Sequence, residues 1–104
     1  MFGLKPSDID LIVATIQRHF DVEEAIVYGS RAMGNYKPGS DVDIALKGTL
    51  EPNTSTSISF ELNEHLPLPY MFDIVNYSIL THQPLVEQID LFGKSLYKRT
   101  QNLR

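Results

Sequence analysis

The sequence predicts an α/β (α+β) fold, a small two-layer domain in which a mixed sheet packs against helices. Apolar residues recur at helical spacing near the N-terminus, and three short apolar segments, residues 24–28, 41–46 and 70–77, have the length and composition of β-strands. Segments with helical character separate these strands. The predicted order of elements is therefore α-β-α-β-α-β-α.

The first helix is predicted to begin at Ser7. Pro6 marks the boundary, and Ser7 with Asp10 resembles a capping box in which Asp replaces Glu. Apolar side chains then recur every three or four residues, at Ile9, Ile12, Val13, Ile16 and Phe20. This pattern is typical of an amphipathic helix of about three and a half turns that packs on a sheet.

Turn and capping residues predict the remaining elements. In chain order these are a helical turn at 31–35, a turn at 37–39, a helix at 53–66 capped by Asn53 or Thr54, and a helix at 84–92 capped by Gly93, with the ordered chain ending at Tyr97.

Composition limits the class of protein. The chain has 104 residues, which predicts one domain spanning residues 1–104. It has no cysteine, which excludes disulfides and thiolate metal sites, and with no export signal this favours the cytoplasm. No apolar run approaches the roughly 20 residues needed to span a bilayer. The net charge of -4 and the scattered basic residues disfavour nucleic-acid binding.

Three acidic residues lie in or beside the predicted strands. Asp41 and Asp43 are two residues apart, so their side chains point to the same face, about 6.6 Å apart along the strand, while Val42 and Ile44 face the core. Asp73 reaches the same region if the third strand lies beside the second. Like charges at such distances raise one another's pKa, and a pair of divalent cations would offset them. Ligands that are all oxygen favour Mg²⁺ or Mn²⁺.

Gly29 and Ser30 lie where the first strand ends and a helical turn begins. Gly29 lacks a Cβ and allows close approach of a ligand to backbone N–H groups at the positive end of a helix dipole. Ser30 adds a hydroxyl donor, and Arg31 lies near enough in sequence to add positive charge. Together with the acids, these residues predict a site for a nucleoside triphosphate.

The spacing of these residues resembles the signature of a known family. Gly29-Ser30, ten intervening residues and Asp41-x-Asp43 match the GS-x10-D-x-D pattern of the DNA polymerase β-type nucleotidyltransferase superfamily. The short length, the segment 29–34 and the closing IDLFGKSLY are similar to the minimal nucleotidyltransferase (MNT) proteins, the antitoxins of HEPN/MNT pairs. Met33 stands where the family commonly has an arginine.

The resemblance implies a reaction and a division of roles. Asp41 and Asp43 would hold two Mg²⁺ ions, and Asp73 would hold the catalytic one and help to deprotonate the attacking hydroxyl. Gly29 and Ser30 would hold the triphosphate of ATP. AMP would pass to a tyrosine of a small helical HEPN toxin, in a homo- or hetero-oligomer, and the chain would act as the antitoxin.

The residues also permit other interpretations. A D-x-D pattern alone is more often a pair of exposed acids on an edge strand, and Asp73 could cap a turn or pair with a lysine. Arg31 is as compatible with a surface ion pair, or a structural bond to an acid such as Asp41, as with a phosphate contact. The protein could also silence a toxin by masking it without catalysis. A free-standing RNA-tailing enzyme is disfavoured by the acidic charge.

Overall fold

In a computed structural model, which describes residues 1–99, four strands form one mixed sheet. The strands are β1 (Glu24–Tyr28), β2 (Val42–Lys47), β3 (Phe72–Asn76) and β4 (Lys94–Lys98). Their order across the sheet is β3-β2-β1-β4. β1 is antiparallel to both β2 and β4, whereas β2 is parallel to β3. The mixed α/β class predicted from the sequence is confirmed.

Four α-helices connect and cover the strands. They are α1 (Pro6–Gln17), α2 (Ser30–Met33), α3 (Thr54–Phe60) and α4 (Gln83–Phe92). α3 continues into one π-helical turn at Glu61–His65, and a 3-10 turn at Tyr77–Ile79 follows β3. Because β2 and β3 are parallel, the chain must cross over between them, and α3 with its π turn forms that crossover. No helix within residues 1–99 has the length and apolar character needed to cross a membrane.

The main core lies between one face of the sheet and the helices α1 and α3. Val42 and Ile44 of β2 are fully buried in it, on the face predicted for them. The helices contribute the fully buried side chains of Ile12, Ile16, Ile58 and Leu62. Ile9, Ile12 and Ile16 of the apolar stripe predicted for the first helix therefore face this core.

The opposite face of the sheet is partly covered by α4. Ile26, Tyr28 and Ala45 pack there against Ile89 of α4. Because alternate residues of a strand point to opposite faces, Asp43 projects from the same face as Ala45. The candidate site therefore lies on this second, smaller apolar face.

α1 differs from its prediction at both ends. It begins at Pro6 with Lys5 as the N-cap residue, and no side chain forms a cap hydrogen bond, so the predicted capping box at Ser7 is wrong. Proline suits the first helical position because that N–H would have no partner within the helix. The helix ends at Gln17, and Phe20 lies beyond it with 78% of its surface exposed.

α3 is also fixed differently at its start. Asn53 occupies the N-cap position but its side chain makes no cap hydrogen bond. Instead the Thr54 hydroxyl donates to Oδ2 of Asp21 over 2.5 Å, and the Glu51 N–H donates to the same oxygen over 2.9 Å. A carboxylate distant in sequence thus anchors the start of α3 through the Thr54 hydroxyl and the preceding loop, without capping an N–H of the first helical turn.

β4 was not predicted. The ordered chain was expected to end at Tyr97, but Lys94–Lys98 forms an antiparallel edge strand against β1, with an irregularity between Ala25 and Ile26. In β4 only Leu96 and Tyr97 pack against the core. A five-residue edge strand that begins and ends with lysine carries too little apolar alternation to be recognised from sequence.

Candidate active site

Asp43 and Asp73 lie side by side on neighbouring strands. In the parallel pairing of β2 with β3, Asp43 is directly opposite Asp73. Paired residues of adjacent strands project from the same face, and the strands are about 4.8 Å apart. The condition set by the sequence, that the third strand lies beside the second, is met.

The charge on Asp43 is disfavoured by its surroundings. Burial raises the pKa of the Asp43 carboxyl to about 6, with further contributions from the negative charges of Asp73 and Asp41. The side chain is half-buried, whereas those of Asp41 and Asp73 are exposed. A cation bound here would relieve the repulsion and stabilise the ionised form of Asp43.

Tyr28 forms the apolar neighbour of the acids on β1. It pairs with Asp43 across the β1–β2 ladder and only 5% of its surface is exposed. Burial, followed by the charges of Asp43 and Asp73, raises the pKa of the Tyr28 hydroxyl to about 12. Tyr28 is therefore neutral at physiological pH and adds no charge to the site.

Gly29 is in direct contact with the Asp43 carboxylate. Its backbone has φ 75° and ψ -154°, a conformation that is accessible essentially only to glycine. A Cβ at this position would lie 2.5 Å from Oδ2 of Asp43. Only glycine leaves room for the carboxylate against the backbone of this turn.

Ser30 opens α2 immediately after Gly29, at the same end of the sheet. The Met33 N–H donates to the Gly29 carbonyl over 3.1 Å, and the Gly34 N–H donates to the Ser30 carbonyl over 3.0 Å. α2 thus covers Ser30–Met33 and begins one residue before the helical turn predicted at 31–35. Gly34, which has φ 83°, ends the helix. The half-buried Ser30 stands beside the residue that contacts Asp43.

Asp41 lies one residue before β2, and its side chain is exposed. The next residue, Val42, donates its N–H to the Met71 carbonyl over 2.8 Å. This bond connects the backbone after Asp41 to the segment that enters β3. One hydrogen bond therefore connects the backbone immediately after Asp41 to the backbone two residues before Asp73.

Arg31 is buried, and within residues 1–99 its side chain forms no hydrogen bond or ion pair with an acid. Its guanidinium donates through Nε and Nη2 to the Ser40 carbonyl, over 3.1 and 2.9 Å, and through Nη1 to the Phe2 carbonyl over 2.9 Å. Only 4% of its surface is exposed. The alternative bond to the Asp41 side chain is absent, and the geometry gives no support to the predicted nucleotide contact, because three guanidinium N–H groups donate to backbone carbonyls.

Asn63 is a residue that sequence reasoning missed. It lies in the π turn, and its side-chain amide accepts from the Phe72 N–H over 2.8 Å and donates to the Phe72 carbonyl over 3.1 Å. These bonds hold the residue immediately before Asp73. No motif marks Asn63, since the pairing depends on how the crossover returns to the sheet.

The donor chemistry of the three acids suits a hard divalent cation, because carboxylate oxygens are the ligands that Mg²⁺ and Mn²⁺ prefer. In the part of the chain from residue 1 to 99, no three histidine or acidic side chains are grouped closely enough to hold a metal ion. Like charges repel, so exposed carboxylates separate unless a cation lies between them. Asp43 and Asp73 are brought together by strand pairing, and rotation of the exposed Asp41 side chain would have to complete the set.

A sequence model of the family described as "Polymerase beta, Nucleotidyltransferase" matches residues 11–102. The chain belongs to this family. The matched range includes the Gly-Ser turn and all three acids of the site. In this nucleotidyltransferase, the residues whose spacing resembles the superfamily pattern lie on the strands and turn described above. No curated protein sequence matches the chain.

Solved structures of toxin–antitoxin complexes share the fold of this nucleotidyltransferase. A toxin–antitoxin with AMP-PNP aligns with a TM-score of 0.72 and 20% identity, covering 88% of this chain and 73% of that one. The complex of a tri-AMPylated Shewanella oneidensis HEPN toxin with its MNT antitoxin aligns with a TM-score of 0.68 and 17% identity, covering 92% and 74%. An MntA-HepT toxin–antitoxin aligns with a TM-score of 0.67 and 17% identity, covering 91% and 74%. At these identities the likeness establishes the fold.

Proposed function

We propose that this nucleotidyltransferase transfers AMP from ATP to a hydroxyl on a partner protein, a tyrosine of a HEPN toxin, and thereby acts as the antitoxin of that partner. The observation that carries the proposal is the pairing of Asp43 with Asp73 on parallel strands, directly beside the Gly29 turn. Two acids adjacent to a close-approach glycine are suited to a cation bridged to a phosphate. The similarity to complexes with AMP-PNP and with an AMPylated HEPN toxin supports ATP and a HEPN partner.

The residues of the site divide into two groups in this reaction. Asp41, Asp43 and Asp73 would hold Mg²⁺, and Gly29 with Ser30 would hold the triphosphate. Bound divalent cations supply positive charge to the phosphate oxygens and to the leaving group. The acceptor oxygen forms a bond to the α-phosphorus, the bond from that phosphorus to the pyrophosphate oxygen breaks, and the exposed Asp73 carboxylate accepts the hydroxyl proton.

We further propose that residues 1–104 form a single domain and that the partner supplies the acceptor. The Asp43–Asp73 edge is open, because Asp41 and Asp73 are both exposed. An acceptor hydroxyl on another protein can therefore reach this edge. The partner would bind at the edge of the sheet where β2 and β3 begin.

Labelled ATP, Mg²⁺ and a purified HEPN partner test the reaction directly. The wild-type protein is expected to transfer label to the partner and release pyrophosphate. Asp43→Asn is expected to reduce the transfer by about 100–1000-fold, since it removes a negatively charged ligand of the cations that offset the developing phosphate charge. Asp10→Asn, a change at an exposed acid of α1, is the matched control and should leave the transfer unchanged.

Masking without catalysis predicts a different result. Asp41→Ala combined with Asp43→Ala would then still bind the partner and protect cells from it. Protection by the folded double variant, with no label on the partner, would contradict the antitoxin role of the reaction. Full labelling by Asp43→Asn would contradict the catalytic site itself.

A further inference from the structure

Arg31 is the one charged residue within positions 1–99 whose side chain is buried. A buried charge is costly unless it is paired or well hydrogen-bonded. None of the ion pairs in the described part of the chain includes Arg31. Its charge is instead met by carbonyl oxygens and by aromatic rings, an arrangement that requires its neighbours to be held in specific places.

Two of the three hydrogen bonds of the Arg31 side chain go to one carbonyl, that of Ser40. Nε and Nη2 both donate to the Ser40 carbonyl, and Nη1 donates to Phe2. The rings of Tyr36 and Tyr70 lie over the guanidinium, with their centroids 5.1 and 5.4 Å from Cζ. Lysine cannot reproduce this planar fork, because its ammonium is a single point of charge.

The Ser40 carbonyl belongs to the same planar peptide unit as the Asp41 nitrogen. Arg31 therefore holds the peptide before Asp41, while the bond from the Val42 N–H to the Met71 carbonyl holds the peptide after it. With both flanking peptide units held, the Cα and Cβ of Asp41 are fixed although its carboxylate is exposed.

We infer that Arg31 is a positioning residue that fixes Asp41 for cation binding and sets its position relative to the Gly29-Ser30 turn. Arg31 follows Ser30 directly in the four-residue helix α2. This short helix therefore contains Ser30 of the Gly29-Ser30 turn and, through the Arg31 side chain, holds the peptide before Asp41. Arg31 itself does not touch the nucleotide. The inference rests on the proposed role of Asp41 as a cation ligand.

Without Arg31, the connection from Gly34 to Asp41 would depend on its own turn. That turn contains a bond from the Ser40 N–H to the Lys37 carbonyl and one from the Lys37 N–H to the Ser40 hydroxyl, each 2.9 Å long. Both bonds are internal to the loop and do not connect it to the rest of the protein. The Asn35 N–H would still donate to the Ser30 carbonyl of α2 over 3.2 Å, but the end of the loop at Ser40 would lose its side-chain connection to α2.

Arg31→Lys and Arg31→Gln test the inference, with Arg18→Gln, at an exposed arginine of which 63% of the side chain is accessible, as the control. In metal-free protein, amide hydrogen exchange is expected to accelerate within residues 35–42 and to stay unchanged in β1. Titration with Mn²⁺, followed by electron paramagnetic resonance, should give a dissociation constant about 10–100-fold higher than wild type. Excess Mn²⁺ should restore much of the lost transfer activity.

Three results separate the possibilities. An unchanged Mn²⁺ dissociation constant in both variants, with a raised KM for ATP that excess Mn²⁺ does not correct, would overturn the inference in favour of a direct phosphate contact. If Asp41→Asn binds Mn²⁺ as tightly as wild type, the proposed metal role of Asp41 fails instead. Faster amide exchange within residues 35–42 with no change in Mn²⁺ affinity would also overturn the inference, because Arg31 would then stabilise the loop without affecting cation binding.

A second pair of variants keeps the test decisive if the Arg31 variants do not fold. Tyr70→Leu removes one ring from the guanidinium, whereas Tyr70→Phe keeps the ring and removes only the hydroxyl, which donates to Asp8 over 2.8 Å. Tyr70→Leu is expected to raise the Mn²⁺ dissociation constant and loop exchange, and Tyr70→Phe to change them little. Equal effects of the two variants would overturn the inference.

Discussion

Asp43 lies in surroundings that disfavour its ionised form. Its carboxylate packs against the Gly29 turn and faces the charge of Asp73 across the β2–β3 ladder, and the pKa of Asp43 is raised to about 6. Binding sites commonly hold charges in such surroundings, because the ligand then supplies the compensating charge. The folded protein is therefore destabilised at this residue when the Asp43 carboxyl is ionised.

Because the pKa of Asp43 is raised, the change in unfolding free energy caused by Asp43→Asn should depend on pH in the metal-free protein. The pKa of Asp43 is higher in the folded state, about 6, than its ordinary value of 3.8, so the folded state binds the proton more tightly. The free energy of unfolding should therefore fall as pH rises from about 4 through 6. The variant, which has no carboxyl to ionise at this position, should gain stability relative to wild type over that interval.

Urea unfolding in EDTA at pH 4.5 and 7.5 measures the effect. The difference in unfolding free energy between variant and wild type should be larger at pH 7.5, and the variant should be inactive at both values. Asp10→Asn provides the comparison at an exposed carboxyl. A difference that is independent of pH would contradict the raised pKa.

The π turn after α3 supports the edge strand β3 through contacts between residues distant in sequence. β3 is an edge strand, so one side of its backbone lacks a neighbouring strand. Asn63 satisfies both backbone groups of Phe72 with its side-chain amide and so replaces part of a missing strand. The beginning of β3, where Asp73 lies, is thereby held from both sides.

Asn63→Ala should destabilise this end of β3. Two backbone groups of the buried Phe72 would lose their partners, and the unfolding free energy should fall by about 1–3 kcal/mol. Faster amide exchange at residues 71–74 and reduced AMP transfer should accompany the loss. Asn53→Ala is the control, because the exposed Asn53 makes no side-chain cap bond at the start of α3. Equal stability of the two variants would contradict the role of Asn63.

In the whole molecule, three distant segments of the chain converge at one end of the sheet. β1 leads into the Gly29 turn, β2 carries Asp43, and the crossover through α3 returns β3 in parallel so that Asp73 is beside it. α1 and α3 cover the other face. The site therefore forms only when β1, β2 and β3 have paired, so we expect ligand binding to be coupled to the stability of the fold.

Mg²⁺ with ATP should consequently stabilise the protein against unfolding. At a free ligand concentration 100 times the dissociation constant, the expected gain is about 2.7 kcal/mol, which corresponds to a rise in Tm of several degrees. Calorimetry or a thermal shift measurement checks this, with ATP in EDTA and Asp43→Asn as the two controls. No rise in Tm of the wild-type protein under saturating conditions would count against the site.

Local sequence was sufficient for the parts of the protein that depend on neighbouring residues. The three predicted strands, the helices that follow them and the Gly-Ser turn with its two nearby acids were found, because apolar periodicity and glycine conformation act over a few residues. The exact boundaries of the elements and the edge strand β4 were not predicted, and the cap predicted at Ser7 is absent from the structure. Neither α1 nor α3 has a side-chain cap hydrogen bond: α1 begins at Pro6, and the start of α3 is anchored by the distant carboxylate of Asp21 through the Thr54 hydroxyl.

Only the tertiary structure decided how the site is completed. Strand order and register depend on contacts between residues far apart in sequence, so the alignment of Asp73 with Asp43 could be stated only as a condition. The direction of the Arg31 side chain depended on Phe2, Ser40 and Tyr70, none of which is its immediate neighbour in the chain. A motif specifies which residues are present, whereas long-range packing determines which of them face the same point in space.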